Sequence, residues 1–225
     1  MNLNPASFSR LLARAKTARF SRRHTAAAPS YLADWLKERE SIQAIFEEEY
    51  RVYVENISSP VAAVSLELAV FLYFVCVKTQ PKVVLDLGSG FSSYVLRRYQ
   101  QAEAAEVYSV DDDKLWLDRT QDFLSSHQLS TSNLFLWDDL LRSDIKITAD
   151  LILHDLGNSG KRVEAFEHLT RFAAPNATLI LDDVHKRNIR EAATRWIREH
   201  DFRYVDLASY TRDAYGRFQW LVKTD

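Results

Sequence analysis

From Pro81 onward the sequence repeats one pattern: a short apolar run, a turn, then a stretch with helical periodicity. The apolar runs lie at 83–85, 107–110, 134–136, 151–153, 178–181, 202–207 and 217–223. Runs this short read as strands buried on both faces. Tyr94, Val95 and Tyr99, then Trp116, Phe123 and Leu124, then Val163, Phe166 and Leu169, then Ile189, Ala193, Trp196 and Ile197 fall on single helix faces between them. Strands alternating with amphipathic helices predict an α/β, Rossmann-like, doubly wound sheet that is mostly parallel. The last two runs have no helix between them, only a loop of roughly nine residues, so a C-terminal hairpin with an antiparallel last strand is expected.

Upstream, the apolar positions Ile42, Ile45, Phe46, Tyr50, Tyr53, Val54 and Ile57 step by three or four, which predicts an amphipathic helix over 35–57 with Glu47, Glu48 and Glu49 on its solvated edge. Ser59 and Pro60 give a helix-start signal, Ser as cap and Pro in the first turn. The apolar run 61–77 that follows approaches membrane-span length, but Glu67 interrupts it and Lys78 and Pro81 end it, so a buried core helix is expected and no transmembrane segment. Residues 1–33 carry Arg10, Arg14, Lys16, Arg19, Arg22 and Arg23 and no acid. They read as a basic arm, partly helical or disordered, and their composition also resembles an organellar transit peptide. The expected division is thus arm 1–33, N-terminal helices 34–80 and α/β domain 81–225.

Composition narrows the function. A net charge of −2 gives no reason to expect a nucleic-acid partner. The single cysteine, Cys76, excludes an intrachain disulfide and a cysteine zinc cage and reads as a small core residue. That usage fits a cytoplasmic protein, or an organellar one if the arm is a transit peptide.

The chemistry-bearing residues sit where the predicted strands end. The first strand runs into Asp86, Leu87, Gly88, Ser89, Gly90, Phe91 and Ser92. Glycines there let the backbone turn tightly against a ligand, and the next helix aims its N–H groups at it. The second strand ends at Asp111, followed by Asp112 and Asp113. Beside a glycine loop a carboxylate can accept from ribose hydroxyls, and the same acids can cap the following helix. His154 and Asp155 end the fourth strand, and Asp182 and Asp183 end the fifth.

In these residues the chain resembles the class I S-adenosylmethionine-dependent methyltransferases over about 59–224. The resemblance implies S-adenosyl-L-methionine as cofactor, with Asp86, Gly88, Ser89, Gly90 and Ser92 as the first motif, Ser92 standing where many members carry a third glycine. It implies Asp111, with Asp112 beside it, at the ribose, and Asp138 and Asp139 at the adenine edge. A narrower resemblance, to the catechol and caffeoyl-CoA O-methyltransferase branch, implies that Asp155, Asp182 and Asp183 hold a divalent metal such as Mg²⁺. That branch carries a lysine base shortly after the first of these acids. Asn158 occupies its position here, with Lys161 beyond, which makes Asp155, His154 and His185 the catalytic candidates. Asp182 or Asp183 could equally cap the next helix, and His154 could equally be packed at the strand end.

The implied reaction is methyl transfer to an oxygen of a small-molecule acceptor, with helix 35–57 covering the crevice or pairing two copies as a homodimer. Two other classes share the motif: an NAD(P)-binding oxidoreductase, and a non-catalytic protein that kept the fold and lost its base.

Overall fold

The computed structural model describes residues 20–224; most of the basic arm, 1–19, lies outside them. A 3₁₀ turn, Ser30–Asp34, leads into α1 (Trp35–Asn56), then α2 (Leu66–Thr79). The alternating part follows as β1 (Val83–Leu87), α3 (Phe91–Ala102), β2 (Glu106–Asp111), α4 (Lys114–Ser126), β3 (Leu134–Leu136), α5 (Trp137–Arg142), β4 (Ala149–His154), α6 (Ser159–Phe172), β5 (Ala173–Leu181), α7 (Arg187–Glu199), β6 (Arg203–Asp206), α8 (Ala208–Thr211) and β7 (Trp220–Lys223). The sheet order is β3-β2-β1-β4-β5-β7-β6, and only β7 runs against its neighbours. All seven predicted strands are present. The last two pair as a hairpin whose connection also holds the single-turn helix α8.

Successive strand residues feed two separate cores, because side chains alternate across the sheet. Val84, Leu151, Leu153, Ile180 and Leu221 pack under α1, α2, α3 and α4. Leu85, Leu87, Ile152, Leu179 and Val222 pack under α5, α6 and α7. The apolar run ending at Val77 is a core helix as expected: Phe71, Leu72, Phe74, Val75 and Cys76 are wholly buried in α2. Among the described residues no helix is long and apolar enough to cross a membrane.

The start of that helix differs from the expectation. Ser59 and Pro60 open a turn, whose Ser59 Oγ accepts from Ala62 N–H at 3.3 Å, and α2 begins only at Leu66. Ser65 is its cap, accepting from Leu68 N–H at 3.1 Å. The cause lies far away in sequence: Arg217 donates to the carbonyls of Pro60, Val61 and Ala63 at 2.8, 3.1 and 2.9 Å. Those acceptors are then satisfied without a helix. Asp213 pairs with Arg217 at 2.5 Å and holds it in place.

Residues 20–26 run along the outer strand β6. Phe20 stacks on Tyr204 with ring centres 5.7 Å apart, and Ala26 N–H donates to the Tyr204 carbonyl at 2.8 Å. This covers an edge that would otherwise offer open hydrogen-bonding groups.

Candidate active site

Sheet register brings the strand ends together. Leu87 is paired with Val110 on one side and with His154 on the other, and His154 is paired with Leu181. The next residue along each strand therefore stands at one edge: Gly88, Asp111, Asp155 and Asp182. Three main-chain bonds fix that edge, Gly88 N–H to Val110, Asp155 N–H to Leu87 and Asp182 N–H to His154, at 2.8, 2.7 and 3.1 Å.

A cavity of about 380 Å³ opens there, lined by Gly88–Gly90, Ser92, Asp111–Asp113, Asp155, Asn158 and Arg162, and roofed by Tyr53, Ala62–Val64 and Trp116. The volume is in the range of small-ligand pockets. Gly88 has φ +104°, and a Cβ there would overlap the main-chain oxygen of Asp155. Only glycine lets the β1 turn pass this close to the β4 turn. Trp116 Nε1 donates to the Ser89 carbonyl at 2.7 Å, steadying the loop from above.

Each acid of the cofactor half has a distinct placement. Asp111 Oδ2 accepts from Ser89 N–H and Ser89 Oγ, both at 2.9 Å, and its other oxygen accepts from Asp113 N–H at 3.0 Å. Burial is the main reason its pKa rises to about 6. Asp112 is exposed, and its carboxylate occupies the space over Gly157 that a side chain there would fill. Asp113 is the cap of α4, accepting from Leu115 and Trp116 N–H at 2.8 and 3.2 Å. Asp86 lies beneath the glycine loop, wholly buried. One oxygen accepts from Ser93 Oγ at 2.6 Å while the other has no partner, and burial lifts its pKa to about 6. Ser92 Oγ donates to the Gly88 carbonyl at 3.2 Å and so braces the loop. Asp138 and Asp139 are exposed in the first turn of α5, where Asp139 pairs with Arg142 at 2.7 Å; neither lines the cavity.

On the other half, Asp155, Asp182 and Asp183 converge, with one oxygen of each within 4.8 Å of the others. Arg162 lies among them, 2.5 Å from Asp155 and 2.6 Å from Asp183. Burial raises the Asp155 pKa well above the carboxylate range, Arg162 opposes the rise, and the charges of Asp182 and Asp183 add to it. Burial would raise Asp183 as well, but Arg162 and Lys186 outweigh it and hold that carboxyl low.

Neither histidine candidate reaches the cavity lining. His154 is fully buried, with Nε2 bonded to the Arg162 carbonyl at 2.9 Å and its ring edge-on to Phe166. Burial pushes its pKa down to about 3, so it is neutral and packed. His185 stands behind Asp183, its Nδ1 3.5 Å away. Asn158, at the position of the branch's lysine, caps α6 by accepting from Gly160 and Lys161 N–H at 2.9 and 3.1 Å. Sequence reasoning missed Arg162 and Trp116. The one available signal for Arg162 was a basic residue within two turns of an otherwise uncompensated acid group.

No protein-family model matches the sequence, and no curated protein matches it either. Solved structures do. An O-methyltransferase from Bacillus cereus in complex with S-adenosylhomocysteine is 15% identical, with a TM-score of 0.61 over 87% of this chain and 96% of that one. The S-adenosylhomocysteine-bound methyltransferase PaMTH1 from Podospora anserina is 12% identical, with a TM-score of 0.60 over 100% and 98%. The O-methyltransferase TomG from Streptomyces achromogenes, solved with S-adenosylmethionine, is 14% identical, with a TM-score of 0.59 over 92% and 94%. At such identities the likeness is one of fold, and it extends through the N-terminal helices as well as the sheet: this chain has the fold of the class I S-adenosylmethionine-dependent methyltransferases.

Proposed function

We propose that this protein is an S-adenosylmethionine-dependent methyltransferase acting on an oxygen of a small molecule. The observation that carries the reading is the meeting, in one cavity, of a glycine turn closed to any side chain, a buried strand-end acid at Asp111 and a second strand-end acid at Asp155. These residues fit the cofactor. The Gly88–Gly90 turn with the start of α3 suits its amino-acid end, and Asp111 suits its ribose hydroxyls. Titrating the protein with S-adenosylhomocysteine by calorimetry, with Mg²⁺ and then with EDTA, should give micromolar binding in both. Absence of binding in both, with binding of NAD(H), would replace this reading by the oxidoreductase one.

When bound, S-adenosylmethionine supplies a sulfonium methyl group as electrophile. Asp155 lines the cavity at the end of β4 and is the acid–base group on hand there, a carboxyl whose pKa burial raises. Asp155 would take the proton of the acceptor hydroxyl whose oxygen receives the methyl group. Tyr53, Trp116 and Phe91 set aromatic rings beside the Gly88–Gly90 turn, where they shield that part of the cavity from water.

Asp111 makes the cofactor site pH-dependent. Its carboxylate must be ionised to accept fully from ribose hydroxyls, and burial places its pKa at about 6. Affinity for S-adenosylhomocysteine should therefore be constant above that pH and fall as pH drops through it, by up to about tenfold per unit. Asp111→Asn should bind about tenfold more weakly or worse at pH 7 and lose most of the pH dependence. A variant that keeps the wild-type pH profile would move the titrating group elsewhere, Asp86 being the next candidate.

A further inference from the structure

The narrower resemblance leads one to expect a divalent metal among Asp155, Asp182 and Asp183. The residues present do not fit one, because one oxygen of each acid already holds a donor and a fixed cation stands among them. Arg162 Nη2 is 2.5 Å from Asp155 Oδ1, and Arg162 Nη1 donates to Asp183 Oδ2 at 2.6 Å. The same Asp183 oxygen accepts from Lys186 Nζ at 2.5 Å. Asp182 Oδ1 accepts from Gln219 Nε2 at 2.5 Å and from Asp183 N–H at 2.6 Å. The guanidinium is also tied to main-chain oxygens of the β4 turn, its Nη2 donating to Asp155 at 2.9 Å and to Gly157 at 3.0 Å. Three carboxylates in a buried space need positive charge, and the chain brings its own. A guanidinium offers a planar fork of donors that suits two carboxylates at once. A small divalent ion would need bond lengths near 2 Å to these carboxylates and would face a fixed cation beside it.

We infer that Arg162 occupies the place of the divalent cation, so that this acceptor site works without a metal. The inference rests on reading this cavity as a methyl-transfer site. Arg162 is a positioning residue here: it aims Asp155 into the cavity and holds Asp183 away from it. The acceptor is then not chelated through adjacent oxygens, and a compound with one hydroxyl serves as well as a vicinal diol.

The test uses Mn²⁺ alone, followed by its electron paramagnetic resonance signal on the full chain. The wild type should leave Mn²⁺ free into the millimolar range. Arg162→Ala should bind one Mn²⁺ per chain at least tenfold more tightly, and adding Asp182→Asn should remove that binding. Arg162→Gln, which keeps the size and some donors, serves if the alanine variant does not fold. Stoichiometric micromolar Mn²⁺ on the wild type overturns the inference, and so does a folded Arg162 variant that binds none. If neither variant folds, the wild-type titration decides by itself. The S-adenosylhomocysteine titration is read separately, so loss of the methyltransferase reading and loss of the metal-free reading are distinguishable.

Discussion

Gly88→Ala is expected to lose cofactor binding and much of its stability together. At φ +104° an alanine sits in a region nearly reserved for glycine, at about 1–3 kcal/mol. Its Cβ would also overlap the Asp155 main-chain oxygen, and that strand end is pinned by the Asp155 N–H bond to Leu87 at 2.7 Å. Relief requires β1 and β4 to part at the edge where the cavity opens. A total of about 3–5 kcal/mol is expected, and for a chain of this size that lowers Tm by roughly 10 °C. Chemical denaturation and calorimetry with S-adenosylhomocysteine would measure the two losses. Retained affinity within a few-fold would show that the cofactor does not lie on this turn.

Asp155→Asn should separate chemistry from binding. Asparagine keeps an oxygen for Arg162 and leaves the main-chain bond to Leu87 untouched, so fold and cofactor affinity should change by no more than a few-fold. It cannot take a proton from an acceptor, and turnover on a panel of phenols and hydroxy acids should fall about 10²–10⁴-fold. A drop in cofactor affinity as large as the drop in turnover would mean that Asp155 belongs to the cofactor half, and the acid–base group would have to be sought again.

Much of this was legible because it depends on local pattern. The strands announced themselves as apolar runs, and their ends carried Gly88, Asp111, Asp155 and Asp182 into one edge through register alone. What sequence could not supply was contact between distant segments. Ser59 followed by Pro60 is as good a helix start as Ser65, and the choice was made by Arg217, far along the chain, bonding to the carbonyls between them. The acid group was visible, but its counter-charge was not, because Arg162 reaches back to Asp155 only through the curl of the β4 turn. His154 differs from Asp155 by one residue, and in a strand that single step turns a side chain from the cavity into the core under α6. Asp138 and Asp139 followed a strand end as the family pattern asks, yet an acid in the first turn of a helix is also just what its dipole favours.

The place of β7 sets an order of assembly. It follows every other described element in the chain, yet it lies between β5 and β6 and pairs with both. On a ribosome, β6 has no strand to join until β7 has emerged, and residues 60–63 have no anchor until Arg217 has. The part of the cavity roof around Ala62 and Ala63 is therefore among the last to be anchored, so a ligand that needs it stabilises the finished chain more than the nascent one.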